Sequence, residues 1–519
     1  MVWLLGSWLI GFVCSVLTWK KTPKLANIDR LATALVPVSV VFVIEQFILR
    51  ILNAPLEEWN FLRLVAPFAL VSGQRLYYPA GDGPLISGLN APFQPLSFLP
   101  ATLASTPTTA VYLGTLTAGC LALVPLVLSI VWGQGKKQSK VFSILGASLA
   151  LCLIFRSPSL RLSSFLIHAD APALGFACLS GLALFLKLKS RTKVYLVSAI
   201  LAVIASYSKI TLSPILVALP LYLWITEGLR AALRYFIVLM STLIAITTGL
   251  FLIFGSSALI FNVQSSVQSD WVANLYRAEG YAVGNFAKIK VLFAALNEVV
   301  QGYYFLMALA LGFLGVQFQK GNLRKPSLTT LSIIFSVLLL PGSLMGRVKA
   351  GGALNTLSPT LYFLVLATPL ALLELIRNTS DSKIKTFLST GMLSLLIVVG
   401  LASVPDFYEL WWPLKNVHNN VHEQAYKYAK RHPGTTYFPN QPLSSLLAEG
   451  KVYHSEYLIF QYMQSPYKLS QKHFERYTPE SMQQVAFTSS DPSAILEYLK
   501  EFKTKTTDPE LPGWTIYRR

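Results

Sequence analysis

The chain has 519 residues, of which 53% are hydrophobic and only 13% charged, about half the charged share of a soluble domain. That balance, with apolar runs repeating from end to end, excludes a water-soluble fold and leaves a protein that crosses a bilayer many times. The formal charge of +19 does not argue for nucleic acid, because surplus Lys and Arg in such a chain belong to short cytoplasmic loops.

The first apolar run, Val2 to Trp19, is followed by Lys20-Lys21. A cleaved signal peptide would carry its basic residues before the run, so this reads as a retained span with its N-terminus outside. Windows of about 20 apolar residues place spans near 2–19, 31–52, 108–132, 141–156, 171–187, 194–208, 211–227, 235–254, 300–318, 328–345, 359–376 and 386–404. Every second loop is short and basic: Lys20, Lys21, Lys24 and Arg30; Lys136, Lys137 and Lys140; Lys187, Lys189, Arg191 and Lys193; Arg230 and Arg234; Lys320, Arg324 and Lys325; Arg377, Lys383 and Lys385. The positive-inside rule puts these in the cytoplasm and their alternates outside. The two short spans in 194–227 read as a tight hairpin around Ser206-Tyr207-Ser208-Lys209. Cys14, Cys120, Cys152 and Cys178 all fall in apolar runs, with no disulfide or zinc spacing.

The long outer loop, 53–107, opens with Glu57-Glu58 at the end of the second span. It continues as an amphipathic run, Trp59 to Val71, in which Phe61, Leu64, Val65, Phe68 and Leu70 can share a face, then breaks into Gly and Pro turns. The loop 255–299 ends in an amphipathic piece, Phe286 to Val300, suited to the membrane interface. From Pro405 the apolar density drops, and 405–519 is long enough for a small soluble domain. Its pattern predicts strands at Thr435–Phe438, Lys451–Tyr453, Gln484–Thr488 and Trp514–Tyr517. Helices are predicted at Leu443–Glu449, Glu456–Met463 and Pro492–Phe502, giving a small α/β layer. The expected division is 1–404 for the transmembrane unit and 405–519 for an extracytoplasmic domain.

Ionisable residues near membrane depth are costly and are functional candidates. Here they gather at the outer ends of spans: Glu57 and Glu58; Arg156 and Arg161; His168 and Asp170; Lys209; Arg347, Lys349 and Asn355. Carboxylates and cations at one interface suit a reaction on a phosphate-bearing lipid. The cations stabilise the departing phosphate while a carboxylate takes the proton of the attacking hydroxyl. Each feature has a plainer reading. Glu57-Glu58 could be a solvated step at a helix end, Arg156 and Arg161 could snorkel to headgroups, and Glu45 could be a buried structural contact. His168-Ala169-Asp170 could face one metal, or Asp170 could be a helix N-cap with Pro172 just inside. Lys209 inside an apolar hairpin requires a partner.

These stretches resemble a known group, the GT-C membrane glycosyltransferases of the family-39-like branch, which includes protein mannosyltransferases and aminoarabinose transferases. Leu56-Glu57-Glu58 with Arg63, Gly73 and Leu76-Tyr77-Tyr78 is similar to that group's first outer loop: an acidic pair, an interfacial helix, then Gly and Leu-Tyr. His168-Ala169-Asp170-Ala171-Pro172-Ala173-Leu174 is similar to an Arg-Pro-Asp-x-x-Ala-Leu stretch. Ser208-Lys209-Ile210-Thr211 is similar to Thr-Lys-Gln-Thr, and Lys349-Ala350-Gly351 through Asn355 to a Gly-x-x-x-Asn-Tyr segment. The tail, from Pro433-Gly434 to Lys451, looks like the C-terminal part of such bacterial proteins. The chain departs from the group in having Glu57 for Asp, His168 for Arg, Thr356 for Tyr and an extra N-terminal span.

The resemblance implies an α-helical polytopic membrane protein of GT-C type, with about twelve transmembrane helices and a small C-terminal α/β domain outside. It implies transfer of a sugar from a polyprenyl-phosphate donor to a lipid, glycan or protein acceptor on the outer face, normally with inversion, in a bacterial inner membrane. Glu57 would be the base, with Glu58 its neighbour or a binding partner. Asp170 and His168 would orient substrate; Lys209, Arg347 and Lys349 would bind the phosphate; Arg63, Tyr77 and Asn355 would complete the pocket. No metal ligand is assigned; the group is mixed on metal dependence, so a divalent metal stays compatible and no cofactor follows. Competing readings are a flippase or transporter of lipid-linked glycans, a surface-glycan polymerase or ligase, and a non-catalytic assembly factor. The charges collect at one surface and no inverted repeat is evident, which is the reverse of a transporter's pattern.

Overall fold

The computed structural model describes residues 2–23, 25–78, 82–86, 92–133, 139–256, 285–348, 353–403, 420–463, 469–488 and 493–519. Helices α1 (Val2–Lys21), α2 (Asn27–Asn53), α3 (Glu58–Val71), α4 (Phe93–Ser97), α5 (Pro107–Trp132), α6 (Lys140–Arg156), α7 (Pro158–Phe165), α8 (Asp170–Ala183), α9 (Arg191–Ser208), α10 (Ile215–Glu227) and α11 (Leu229–Phe254) follow in order. The bundle continues with helices Asn285–Gln319, Leu328–Val348, Ser358–Asn378 and Ser382–Ala402. Each of the twelve sequence-derived spans falls on a helix. The number long and apolar enough to cross a membrane is smaller: 8 among the described residues, or 9 if the bent pair α6–α7 is one span. α8, at 14 residues, is too short for a full crossing. The interfacial piece expected at 286–300 is not separate, because Asn285–Gln319 is one continuous helix of 35 residues.

Two local features shape the end of the bundle that carries the candidate site. First, α6 and α7 meet at 99°. Ser157 caps α7, its hydroxyl accepting from the Leu160 N–H at 3.3 Å, and Pro158 follows at the first helical position, where its missing N–H costs nothing. The chain therefore turns across the bundle end instead of leaving it. Second, α3 buries Phe61, Leu64, Val65, Phe68 and Ala69 and packs on α5, so the amphipathic run is a helix laid against the bundle, not a free loop. α5 and α8 approach closely through Gly175, where an added Cβ would lie 1.9 Å from the Leu121 carbonyl oxygen.

The C-terminal residues form a four-stranded sheet in the order β1 (Thr436–Tyr437), β2 (Gln484–Phe487), β4 (Thr515–Arg518), β3 (Thr504–Thr506). β1 runs parallel to β2; the other pairs are antiparallel. Tyr437, Phe474, Val485 and Phe487 pack on one face and Tyr428, Phe438, Trp514 and Ile516 on the other. Two sequence expectations need correction. Lys451–Tyr453 is irregular and lies outside the four-stranded sheet; the Tyr453 hydroxyl donates to Glu449 Oε2 at 2.6 Å. The helix expected at Pro492–Phe502 is only Ser493–Leu496, and Thr504–Thr506 adds an edge strand with no apolar alternation to announce it.

Candidate active site

Asp170 is the hub. It lies at the first turn of α8 with no exposure to solvent, where the helix N-terminus favours negative charge. The capping reading fails: Ala169 is the N-cap and the Asp170 carboxylate bonds no backbone N–H there. Instead Oδ1 accepts from the Lys209 ammonium, while Oδ2 accepts from His168 Nδ1 and, at 2.9 Å, from Asn355 Nδ2. Lys209 has its required partner, and it reaches Asp170 because α9 ends at Ser208 and the chain is extended at 209 before the short 3-10 turn Ile210–Leu212. Asn355 is delivered by the turn Leu354–Leu357, tied to α7 by Ser163 Oγ donating to Ser358 Oγ at 2.6 Å and to the Asn355 carbonyl at 3.4 Å.

Arg63, on α3, completes the cluster. Burial lowers its pKa to about 10, opposed by Asp170, Tyr457 and Glu57. Its Nη1 is buried with no hydrogen-bond partner among the described residues. Such an orphaned guanidinium N–H at a site of charged groups is a ready donor to an anion. His168 is part-buried, and its imidazole is pushed down to about 4, first by burial, then by the Arg63 charge; Asp170 opposes the shift. It is therefore neutral near pH 7. Glu57 is the exposed N-cap of α3, near enough to Arg63 to act on its charge.

Not every expected residue joins. Arg347 donates from Nε to Glu298 Oε2 at 3.3 Å on the long helix Asn285–Gln319. Tyr77 is buried in a small apolar cluster with Ala66 and Leu76, edge-on to Phe254. The Glu58 side chain and all of Lys349 lie outside the described residues. Arg156 is exposed, and Glu45 accepts from the Ser7 hydroxyl between α1 and α2. Among the described residues no three His, Cys, Asp or Glu stand where they could hold a metal, so His168 and Asp170 form a pair without a third ligand.

The C-terminal unit reaches this site directly. Tyr457 packs edge-on against Trp59 with ring centroids 4.4 Å apart, and His422 stacks on Phe61 at 3.5 Å. His422 lies in the helix Val421–Arg431, which has no counterpart among the sequence-derived elements; a histidine is not an apolar signal, so its stack on Phe61 is visible only in the fold.

No family model matches the sequence, and no curated protein does. The arrangement of helices, however, is found in the aminoarabinose transferase ArnT from Cupriavidus metallidurans. Its crystal structure with undecaprenyl phosphate aligns with a TM-score of 0.55 over 92% of this chain and 97% of that one, at 9% identity. Its apo structure gives the same coverage and TM-score at 11% identity. The Archaeoglobus fulgidus oligosaccharyltransferase, in complex with Zn and sulfate, aligns with a TM-score of 0.44 over 86% of this chain and 67% of its own, at 13% identity. The chain thus has the fold of the GT-C membrane glycosyltransferases, a bundle of apolar helices with a small sheet at its C-terminal end.

Proposed function

We propose that this protein is an integral-membrane glycosyltransferase that moves a sugar from a polyprenyl-phosphate donor to an acceptor at the outer face of a bacterial inner membrane, with inversion. The observation that carries the reading is the convergence of Arg63, His168, Asp170, Lys209 and Asn355, from four separate stretches of chain, with Glu57 near enough to Arg63 to act on its charge. Undecaprenyl phosphate is the ligand of ArnT, whose fold this chain has, and a phosphate is what the Arg63 and Lys209 pair suits.

In this reading Glu57 takes the acceptor hydroxyl's proton as the acceptor oxygen bonds the anomeric carbon. The bond from that carbon to the phosphate oxygen breaks, and the departing lipid phosphate carries the electron pair toward Arg63 and Lys209. Asp170 holds Lys209 and His168 in place as their common acceptor. The unit 1–404 would carry the chemistry, and 405–519 would cover it from outside. The test is Glu57→Gln in purified protein supplied with a panel of polyprenyl-phosphate sugars. Transfer should fall by about 10²–10⁴-fold, with undecaprenyl phosphate still bound; wild-type turnover in this variant would refute Glu57 as the base.

A further inference from the structure

The geometry points to Asn60 as the positioning residue that locks Glu57 to the Asp170 cluster. The inference rests on the reading of Glu57 as base. Asn60 is fully buried on α3, three residues after Glu57, and no charge, spacing or motif marked it in the sequence.

Its contacts reach both halves of the site. The backbone N–H of Asn60 donates to the Glu57 carbonyl at 3.1 Å. The Asn60 Nδ2 donates to the Ala54 carbonyl at 3.2 Å, the same oxygen that receives the Glu57 N–H at 3.1 Å. The turn bearing Glu57 is thus gripped at its N–H side and at its carbonyl by one residue. The other end of the amide faces α8: Oδ1 accepts the Ile167 N–H at 2.8 Å. Ile167 immediately precedes His168, and Asp170 follows two residues later. The two partners fix the orientation of the amide, since a carbonyl demands the NH₂ and an N–H demands the oxygen. No other residue type of this size offers a donor and an acceptor in a fixed plane. Leucine would fill the volume and lose both bonds; aspartate would keep the acceptor for Ile167 and turn a repelling oxygen toward Ala54.

The packing around the bond makes it a rigid link. The Ile167 side chain enters a gap over Gly114, where an added Cβ would lie 2.5 Å from Ile167 Cδ1, and Leu64 of α3 lines the same gap. A carboxylate must be placed to within about an ångström of the hydroxyl it deprotonates, and such a misplacement costs on the order of 10²-fold in rate. Asn60 is the one described residue that bonds both the Glu57 turn and the 166–169 segment, so the distance between base and phosphate site passes through it.

The experiment compares Asn60→Asp and Asn60→Leu with wild type by three readouts: hydrogen exchange at the Ile167 amide, affinity for undecaprenyl phosphate, and kcat for sugar transfer. Asn60→Asp should keep Ile167 protected and the affinity within about threefold, while kcat falls about 30–100-fold. Asn60→Leu should speed Ile167 exchange at least about tenfold, weaken undecaprenyl phosphate binding and lose kcat as well. A purely structural role would lower the folded fraction of both variants without separating kcat from affinity, and that overturns the proposal. So does wild-type kcat in a folded Asn60→Leu protein, or unchanged Ile167 exchange in it. If wild-type protein transfers no sugar from any donor tested, the glycosyltransferase reading falls, while exchange and undecaprenyl phosphate affinity still decide whether Asn60 is the link.

Discussion

The Lys209 ammonium donates a hydrogen bond to Asp170, a fully buried carboxylate 39 positions earlier in the chain. The pair joins the first turn of α8 to the end of α9, and His168 and Asn355 hang on the other carboxylate oxygen. Removing one member of a buried pair is far more damaging than removing both, because the survivor keeps an uncompensated charge.

Asp170→Asn should therefore lower stability by about 3–5 kcal/mol and reduce transfer strongly. The double variant Asp170→Asn, Lys209→Met should recover part of that stability and none of the activity. Thermal unfolding in detergent, run beside the transfer assay, checks both. Equal melting of the single and double variants would show that the pair is not coupled.

Gly175 sets how closely α8 can lie on α5. A methyl group there meets the Leu121 carbonyl, which cannot move aside as a side chain could. Close backbone contact at small residues is a common way for membrane helices to associate. Gly175→Ala should shift α8, disperse the Asp170 cluster and cut the yield of monodisperse protein. Gly391, with nothing within 4 Å, is the control: in its helix Gly391→Ala should be neutral or stabilising by about 0.5–1 kcal/mol.

Acid should destabilise the fold through its buried histidines. Burial pushes His422 and His454 down to about 3, and His168 to about 4. In the unfolded chain each takes a proton near 6.5. Below that value the unfolded state binds protons that the native state refuses, so stability falls as pH drops from about 6.5 toward 3–4. His422→Phe keeps the stack on Phe61 and removes the titrating group. Its melting temperature should depend less steeply on pH across that window than the wild type's; identical slopes would count against this account.

The C-terminal unit should be needed for activity through α3. Tyr457→Ala removes the ring packed edge-on against Trp59, a contact of about 0.5–1.5 kcal/mol, two residues from Glu57. Turnover should drop about 3–10-fold with undecaprenyl phosphate affinity retained. Gly83 offers a second probe. It holds φ at +74, its carbonyl accepts from His473 Nε2 at 2.7 Å, and a Cβ there would overlap the Tyr78 ring. Gly83→Ala should free the 82–86 segment from the C-terminal unit, seen as faster hydrogen exchange at the Leu85 amide, which donates to His454 Nδ1 at 3.0 Å.

Composition and apolar periodicity were enough to locate the helices of the bundle and the helix after the acidic pair, because burial in lipid demands long apolar runs and a surface helix demands a one-sided pattern. They also singled out Lys209, Asp170 and His168, since charge at membrane depth is too costly to be idle. Short elements of the C-terminal sheet were less legible: β3, Thr504–Thr506, is three residues long and carries no apolar alternation to read. Tertiary structure alone decided which cations face Asp170. Arg347 had the right position along the chain but was taken by Glu298, whereas Arg63, five residues along α3 from the acidic step, turned inward. It also decided the role of Asn60, an amide whose worth lies wholly in what stands at its two ends. Local pattern records how each residue meets lipid, water or core; a hydrogen bond between segments over a hundred residues apart leaves no mark on either segment, and only the folded chain brings the two together.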